Sequence, residues 1–124
     1  MSKINTLKQY SDAAGSTKLP SCDNFTYLML GMVAEVGEVA DKVAKWRRKG
    51  MAFVKDDHLT FNPSDEYEAR MYKDELAKEV GDVLWFVAQL SEYLDVPFAE
   101  LALRNAAKLA ARKSSGTIVE HKDH

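Results

Sequence analysis

The chain has 124 residues, of which 46% are hydrophobic, and its formal net charge is −2. This length supports one hydrophobic core and is short for two ordinary domains, so we expect a single domain over residues 1–124. The slight negative charge argues against a general nucleic-acid binder, which needs a basic surface. The one cysteine, Cys22, excludes an intrachain disulfide and a cysteine zinc site.

The opening MSKINTLKQY lacks the apolar segment of a signal peptide. No apolar run approaches the roughly 20 residues that cross a bilayer. We therefore expect a soluble protein with a cytoplasmic location.

Apolar residues recur at spacings of three and four through most of the chain, a period typical of helices. The sequence therefore predicts an all-α fold, a bundle of four or five helices. A short first helix is expected within residues 4–14, before a loop. The second is expected over about 25–49, capped by Asp23 or Asn24 and ended by Gly50. Its expected apolar face comprises Leu28, Met29, Met32, Val33, Val36, Val39, Ala40 and Val43.

Residues 51–65 show no helical period and are expected to form a connection, with a small hairpin as one form of it. Ser64 or Asp65 would cap a third helix over about 66–94. A fourth helix is expected from Pro97, in its first turn, to about residue 113. The expected core positions of these two helices are Leu76, Val80, Val83, Leu84, Val87, Leu90, Leu94, Leu101, Ala102, Leu109 and Ala110.

The segment EVGEV at 35–39 returns as EVGDV at 79–83. Residues three apart in a helix lie about 60° apart, so the two acids of each segment share a face. The four carboxylates are Glu35, Glu38, Glu79 and Asp82. With 19 acidic residues in the chain, roughly three such pairs are expected by chance. Two solvated acidic stripes on ordinary helices therefore remain an alternative.

Valines flank both acidic pairs, so we expect the carboxylates at the edge of a packed core. Partly buried carboxylates repel one another unless they are neutralised or bind a cation. Oxygen ligands favour Mg²⁺, with Mn²⁺ as a substitute. Carboxylate-bridged iron is disfavoured because it uses Glu-x-x-His pairs, and His58, His121 and His124 do not stand at that spacing.

Basic residues continue the acidic faces. Lys42 and Lys45 follow the first acidic pair, and Asn105, Lys108 and Arg112 form a polar stripe on the fourth helix. Ammonium and guanidinium groups on a fixed face suit phosphate oxygens. Taken singly, each is explained as well by a solvated surface charge; together, beside an acidic cluster, they favour a bound polyphosphate.

Tyr27, Trp46, Trp85 and Phe86 are able to stack on a base, although core packing is the commoner role of such residues. Trp85 follows Asp82 by three positions and is therefore the candidate for nucleotide binding. The glycines of the two acidic segments, Gly37 and Gly81, each cost a helix about 1 kcal/mol relative to alanine. Their presence suggests the close approach of another helix or of a ligand.

Two segments, in their order, resemble the MazG-like nucleotide pyrophosphohydrolases of the all-α NTP pyrophosphatase superfamily. They are LGMVAEVGEVADKVAKWRRKG and KDELAKEVGDVLWFVAQLSEYLDVPFAELALRNAAKLAARKSSGTI, and the resemblance covers about residues 25–118. The match rests on the two acidic pairs and on the pattern Asn-x-x-Lys-Leu-x-x-Arg. That pattern is matched by Asn105, Lys108, Leu109 and Arg112.

The resemblance implies hydrolysis of a nucleoside triphosphate between its α and β phosphates, which gives a monophosphate and pyrophosphate. It also implies Mg²⁺ held by the four acids, phosphate contacts from the basic residues, and a homodimer or homotetramer. Glu38 is the preferred general base, with Glu35 as its catalytic neighbour. Residues 51–65 are longer than the connection in compact members, and they are expected to cover the site, join an interface, or do neither.

Two alternatives belong to other functional classes. One is a helical bundle that binds a nucleotide or a protein partner without cleaving anything. The other is an oligomerisation module that needs no metal. Hydrolysis of nucleotides would distinguish an enzyme from the first alternative. A loss of function on substitution of the acidic residues would distinguish it from the second.

Overall fold

The structure is a computed structural model that describes residues 4–62 and 66–116. The expected caps Ser64 and Asp65, and the chain beyond Gly116, lie outside the described residues. Within the described part, no helix has both the length and the apolarity that a membrane crossing requires.

Four α-helices and one two-stranded sheet make up the described residues, which confirms a mainly helical fold. In chain order the elements are α1 (Leu7–Gly15), a 3-10 turn (Pro20–Cys22), α2 (Phe25–Arg48), β1 (Ala52–Lys55), β2 (His58–Phe61), α3 (Glu66–Tyr93) and α4 (Phe98–Ser115).

The helix ends follow local side-chain chemistry. The side chain of Asn24 caps α2, because its Oδ1 accepts a hydrogen bond from the Tyr27 backbone N–H at 2.8 Å. Gly50 follows α2 with a φ of 70°, a left-handed conformation that stops a helix, as predicted. Pro97 is the residue before α4, with an extended ψ of 140°, so its expected place within the first turn was wrong by one position.

The connection after α2 is the hairpin that the sequence left open. Strands β1 and β2 pair antiparallel, with Ala52 opposite Phe61 and Lys55 opposite His58. Asp56 and Asp57 form the two-residue turn, with φ values of 50° and 62°. Positive φ at both turn residues matches the twist of the flanking strands, which is why short aspartate turns close hairpins.

The backbone contacts divide the chain into two compact units. The first, which we call the helix–hairpin unit, comprises Pro20–Val87. The second, which we call the terminal unit, comprises Met1–Leu19 and Ala88–His124. Helix α3 begins in the first unit and ends in the second.

An aromatic cluster joins three elements of the helix–hairpin unit. Trp46, at the end of α2, is 5% exposed and meets Tyr72 of α3 edge-on at 5.1 Å between ring centroids. Phe61 of β2 stacks on Tyr72 at 5.3 Å and meets Trp46 at 6.0 Å. A side chain of this size stabilises the fold by about 2 to 3 kcal/mol when it is buried. This cluster therefore holds the hairpin against the two helices.

A close contact joins α2 and α3 at the other end of the unit. A methyl group added at Gly31 of α2 would overlap the ring of Phe86 on α3. The ring of Phe86 also packs against Tyr27, at 5.7 Å between centroids. The absence of a side chain at Gly31 therefore lets the ring lie directly on the backbone of α2.

The terminal unit is organised around the start of α4. Phe98 is buried and packs against Tyr10 of α1 at 6.0 Å between ring centroids. The carboxylate of Glu92 accepts hydrogen bonds from the Ser11 hydroxyl at 2.9 Å and from the Phe98 backbone N–H at 3.3 Å. Glu92 thereby satisfies a backbone donor that the preceding proline cannot cap.

Much of the apolar face expected for α2 and α3 is open to solvent in the single chain. Leu28 is fully buried, but Val33 is 62% exposed and Val36 is 53% exposed. On α3, Val80 and Leu84 are 53% and 40% exposed. Leu94 and Ala110, also expected in the core, are exposed as well. The prediction of core burial was wrong at these positions because helical spacing identifies an apolar face and does not say what covers it.

Substitution of alanine at Gly31 and at Gly81 is expected to have opposite effects on stability. Gly31→Ala forces the Phe86 ring away and should lower the free energy of unfolding by about 1 to 3 kcal/mol. At Gly81 an added methyl group meets no atom of the described residues within 4 Å, so Gly81→Ala should raise the free energy of unfolding by up to about 1 kcal/mol. Urea melts of the two variants measure both changes. Equal effects of the two substitutions would contradict the packing of Phe86 on α2.

Candidate active site

Three carboxylates meet between α2 and α3 in the helix–hairpin unit. Glu35 projects from α2, while Glu79 and Asp82 project from α3, and each offers one oxygen within 4.8 Å of the other two. Glu35 and Glu79 are half-buried and Asp82 is exposed. We call these three residues the acidic trio. The expected association of the two EVG segments is therefore present in the structure.

The electrostatics of the trio centre on Glu35. Its partial burial raises the pKa of the Glu35 carboxyl above the ordinary value, and the negative charges of Asp82, Glu79 and Glu38 raise it further. Burial and like charges both disfavour the ionised form. The ionised trio is consequently a site of unfavourable charge unless a cation accompanies it.

The donor set of the trio fits a hard divalent cation. Carboxylate oxygens are the ligands that Mg²⁺ and Mn²⁺ take in proteins, usually with several waters retained. Three such oxygens are near enough to bind one ion. Their attraction to the ion would then offset their repulsion of one another. Glu35, Glu79 and Asp82 are thus able to hold a metal ion.

The fourth predicted acid, Glu38, stands apart from this trio. It lies on the same helix as Glu35, is exposed, and does not contribute one of the three closely spaced oxygens. Its charge still acts on Glu35, because it is among the causes that raise the Glu35 pKa. Glu38 therefore borders the trio.

Lys42 is the basic residue that the structure brings to the trio. Its Nζ lies 3.5 Å from Glu79 Oε1 and 3.6 Å from Glu75 Oε2. It also lies 6.0 Å from the centre of the Trp46 ring. The Lys42 and Glu79 side chains are 30% and 24% exposed, so Lys42 would exchange this carboxylate for another anion only where that anion restores an ion pair.

The other predicted site residues are distributed more widely. Lys45 is exposed in the last turn of α2. Trp85 is half-buried, with its ring edge-on to Phe86 at 4.9 Å between centroids. On α4, in the terminal unit, Asn105 and Lys108 are exposed and Arg112 is half-buried. Their spacing places these three on one face of α4, as the sequence indicates.

Two cavities of the helix–hairpin unit flank the trio. A cavity of about 600 Å³ reaches Glu35 from the start of α2. Its lining is Ser21, Asn24, Thr26, Tyr27, Leu30, Gly31, Ala34, Glu35 and Phe86. A second cavity of about 510 Å³, which we call the Trp46 cavity, opens beside the aromatic cluster. Its lining is Trp46, Met51, Tyr67, Glu68, Met71, Tyr72 and Glu75.

Glu75 is the residue that sequence reasoning missed. It precedes Glu79 by four positions, so it shares the face of the acidic pair, and that spacing was visible in the sequence. Glu75 pairs with Lys42 at 3.6 Å, as Glu79 does at 3.5 Å, and it also lines the Trp46 cavity. It therefore connects that cavity with the acidic trio.

Removal of one charge from the trio is expected to stabilise the metal-free protein in a pH-dependent way. The folded-state pKa of Glu35 is raised, so its ionised form weakens folding as the pH rises through that pKa. Glu35→Gln should therefore be more stable than the parent protein near neutral pH. The difference should vanish below about pH 4, where the carboxyl is protonated in both states.

Thermal melts in EDTA between pH 4 and pH 8 measure this difference. Asp41→Asn is the matched control, because Asp41 is an exposed acid on α2 outside the trio. The attribution to Glu35 fails if both variants shift the melting temperature equally, or if the gain is largest at low pH.

Comparison with known proteins places these residues in a family. The model of the MazG nucleotide pyrophosphohydrolase domain matches residues 24–116, which include all four predicted acids and the polar stripe of α4. The chain is also 36% identical over 104 residues to Gene 37 protein of Mycobacterium phage L5, across 84% of this chain and 79% of that protein. No solved structure gives a significant match. This chain belongs to the MazG nucleotide pyrophosphohydrolase domain family.

Proposed function

We propose that the protein is a Mg²⁺-dependent nucleoside triphosphate pyrophosphohydrolase, with Mn²⁺ as a substitute ion. It would cleave canonical or modified nucleotides between the α and β phosphates to a nucleoside monophosphate and pyrophosphate. The observation that carries the proposal is the acidic trio, with three oxygens within 4.8 Å of one another beside Lys42, in a chain of this family.

The acids have separate roles in this proposal. Glu35, Glu79 and Asp82, with Glu38 at their edge, hold the ion, which when bound neutralises charge on the phosphate oxygens. Glu38 orients the attacking water and accepts its proton, because it is exposed and does not belong to the close trio. Glu35 is the second candidate for that step, because its carboxylate belongs to the trio that would hold the ion beside the attacking water.

The proposed reaction needs positive charge along the phosphate chain. Hydrolysis breaks the anhydride link between the α and β phosphates and adds the water oxygen to one side of it. Lys42 reaches the trio and would donate hydrogen bonds to phosphate oxygens. We further propose that Lys45, Lys108 and Arg112 contact phosphates, and that Asn105 and Trp85 contact the nucleoside.

We propose that residues 1–124 form one domain, in which the family segment crosses from the helix–hairpin unit into the terminal unit. We also propose a cytoplasmic location, where nucleoside triphosphates are made and used. A homodimer or homotetramer is the proposed assembly. Its support is the exposed apolar face of each of the two helices, with Val33 and Val36 on α2 and Val80 and Leu84 on α3.

Single substitutions of site residues are expected to lower turnover by different amounts. Glu79→Ala and Asp82→Ala should lower kcat by more than about a hundredfold, because each removes an oxygen of the ion site. Lys42→Ala should lower kcat/KM by about tenfold or more, the value of a charged hydrogen bond. The controls are Asp41→Ala and Lys49→Ala. Each removes an exposed charge, one negative and one positive.

The measurement is a nucleotide panel with Mg²⁺, in which both products are identified. Pyrophosphate and monophosphate support the proposed bond, whereas phosphate and diphosphate contradict it. Tight Mg²⁺-dependent nucleotide binding without any cleavage would instead favour the non-catalytic regulator.

Charge placed on the exposed apolar face is expected to break the assembly. Val33→Lys or Leu84→Lys should reduce the particle to the 13.9 kDa of one chain, because a lysine cannot be buried there without a partner. Val54→Lys is the matched control, since Val54 is equally exposed but belongs to the hairpin. Light scattering after gel filtration gives the mass. A parent protein that is already monomeric refutes the proposed assembly.

A further inference from the structure

The Trp46 cavity lies on the same stripe of α3 as the acidic trio. With about 100° per residue, Glu68, Tyr72, Glu75, Glu79 and Asp82 fall within a sector of about 80° on that helix. The first three line the cavity and the last two belong to the trio. One face of α3 therefore runs from the cavity to the site of the ion.

The distance along this face suits a nucleoside. Glu75 is one helical turn from Glu79, and Tyr72 is about 10 Å from it along the helix axis. Lys42 bridges the two regions, because its Nζ pairs with Glu79 at 3.5 Å and lies 6.0 Å from the Trp46 ring. A nucleotide whose α-phosphate is at the trio would have its ribose beside Glu75 and its base in the cavity.

The lining of the cavity is suited to a flat ring with hydrogen-bond donors. Trp46, Tyr67 and Tyr72 supply aromatic surface, while Met51 and Met71 supply adaptable apolar surface. The charged groups that line it are the carboxylates of Glu68 and Glu75. An ionised carboxylate accepts hydrogen bonds and donates none.

We propose that the Trp46 cavity binds the base of the substrate and selects bases that present amino and imino donors, guanine above all. Guanine carries two adjacent donors, N1–H and the 2-amino group, which match the two oxygens of one carboxylate. Adenine and cytosine present one amino group. Uracil and thymine place two carbonyl oxygens around a single N–H, and both oxygens are repelled by Glu68 and Glu75.

This inference rests on the proposed pyrophosphohydrolase activity for its kinetic test, but the binding test is independent of turnover. The cavity beside Glu35 offers hydroxyl and amide groups that both donate and accept, along with the one carboxylate of Glu35, so its preference between bases would be weaker. The two cavities therefore predict different substrate preferences.

The kinetic test compares kcat/KM for dGTP and dTTP. The parent protein should prefer dGTP by about tenfold or more, since a site built to accept donors rejects an analogue that lacks them. Glu68→Gln should bring the ratio toward one, because an amide can also donate to a thymine carbonyl. Glu75→Gln should act in the same direction, with an added loss of kcat through Lys42. Asp74→Asn is the matched control, as Asp74 is the exposed neighbour paired with Arg70.

The binding test records the tryptophan emission of the parent protein and of a Trp46→Phe variant, and the difference between them reports on Trp46, one of two tryptophans in the chain. Addition of dGMP should change this emission at concentrations at least about tenfold below those needed for dTMP. A parent ratio near one, a ratio unchanged in both glutamine variants, or no response of Trp46 to dGMP overturns the inference. If no nucleotide is hydrolysed but Trp46 still responds selectively to dGMP, the proposed activity fails and the base site stands.

Discussion

The helix–hairpin unit depends on two aromatic contacts that fix α3 against α2. At one end Phe86 lies on the backbone of Gly31, and at the other Trp46 packs edge-on against Tyr72. The acids of both helices lie between these contacts, so the packing of apolar rings determines how near the carboxylates come. Burial of the rings supplies the free energy that holds like charges together, which the charges themselves oppose.

The trio is consequently a site with an unbalanced charge. Lys42 offsets part of it, but that one ammonium group is shared between Glu75 and Glu79. Burial raises the pKa of the Glu35 carboxyl, and the remaining negative charges of the neighbouring acids raise it further. A divalent cation would neutralise the carboxylates of the trio. The phosphates of a nucleotide would then pair with the ammonium group of Lys42. The same groups that weaken the metal-free fold are those that the proposed chemistry uses.

The sequence predicted the helices from local patterns, and it gave the hairpin as one form of the connection after α2. It predicted the association of the two acidic segments from their repeated motif. Helical spacing, the asparagine cap and the glycine at the end of α2 act within a few residues of each other. The pairing of Lys42 with Glu75 and the enclosure beside Trp46 were not predicted, because no repeated motif links the residues that form them. The exposure of Val33 and Val80 was missed for a related reason. A periodic pattern identifies an apolar face, but the partner that covers it lies elsewhere.

Gly37 and Gly81, the glycines of the two EVG segments, differ from Gly31 in what surrounds them. Among residues 4–62 and 66–116, an added methyl group would meet no atom within 4 Å at either position, so the packing of this part of the chain does not require either glycine. Each nevertheless weakens its helix by about 1 kcal/mol relative to alanine. Gly31, in contrast, is required by the Phe86 ring. The packing of the described residues thus gives no reason for the two glycines of the EVG segments. They lie beside Val36 and Val80 of the exposed apolar face, and one position or two from the acids of the trio. A second copy of the chain or a bound nucleotide would each need close access to the backbone there.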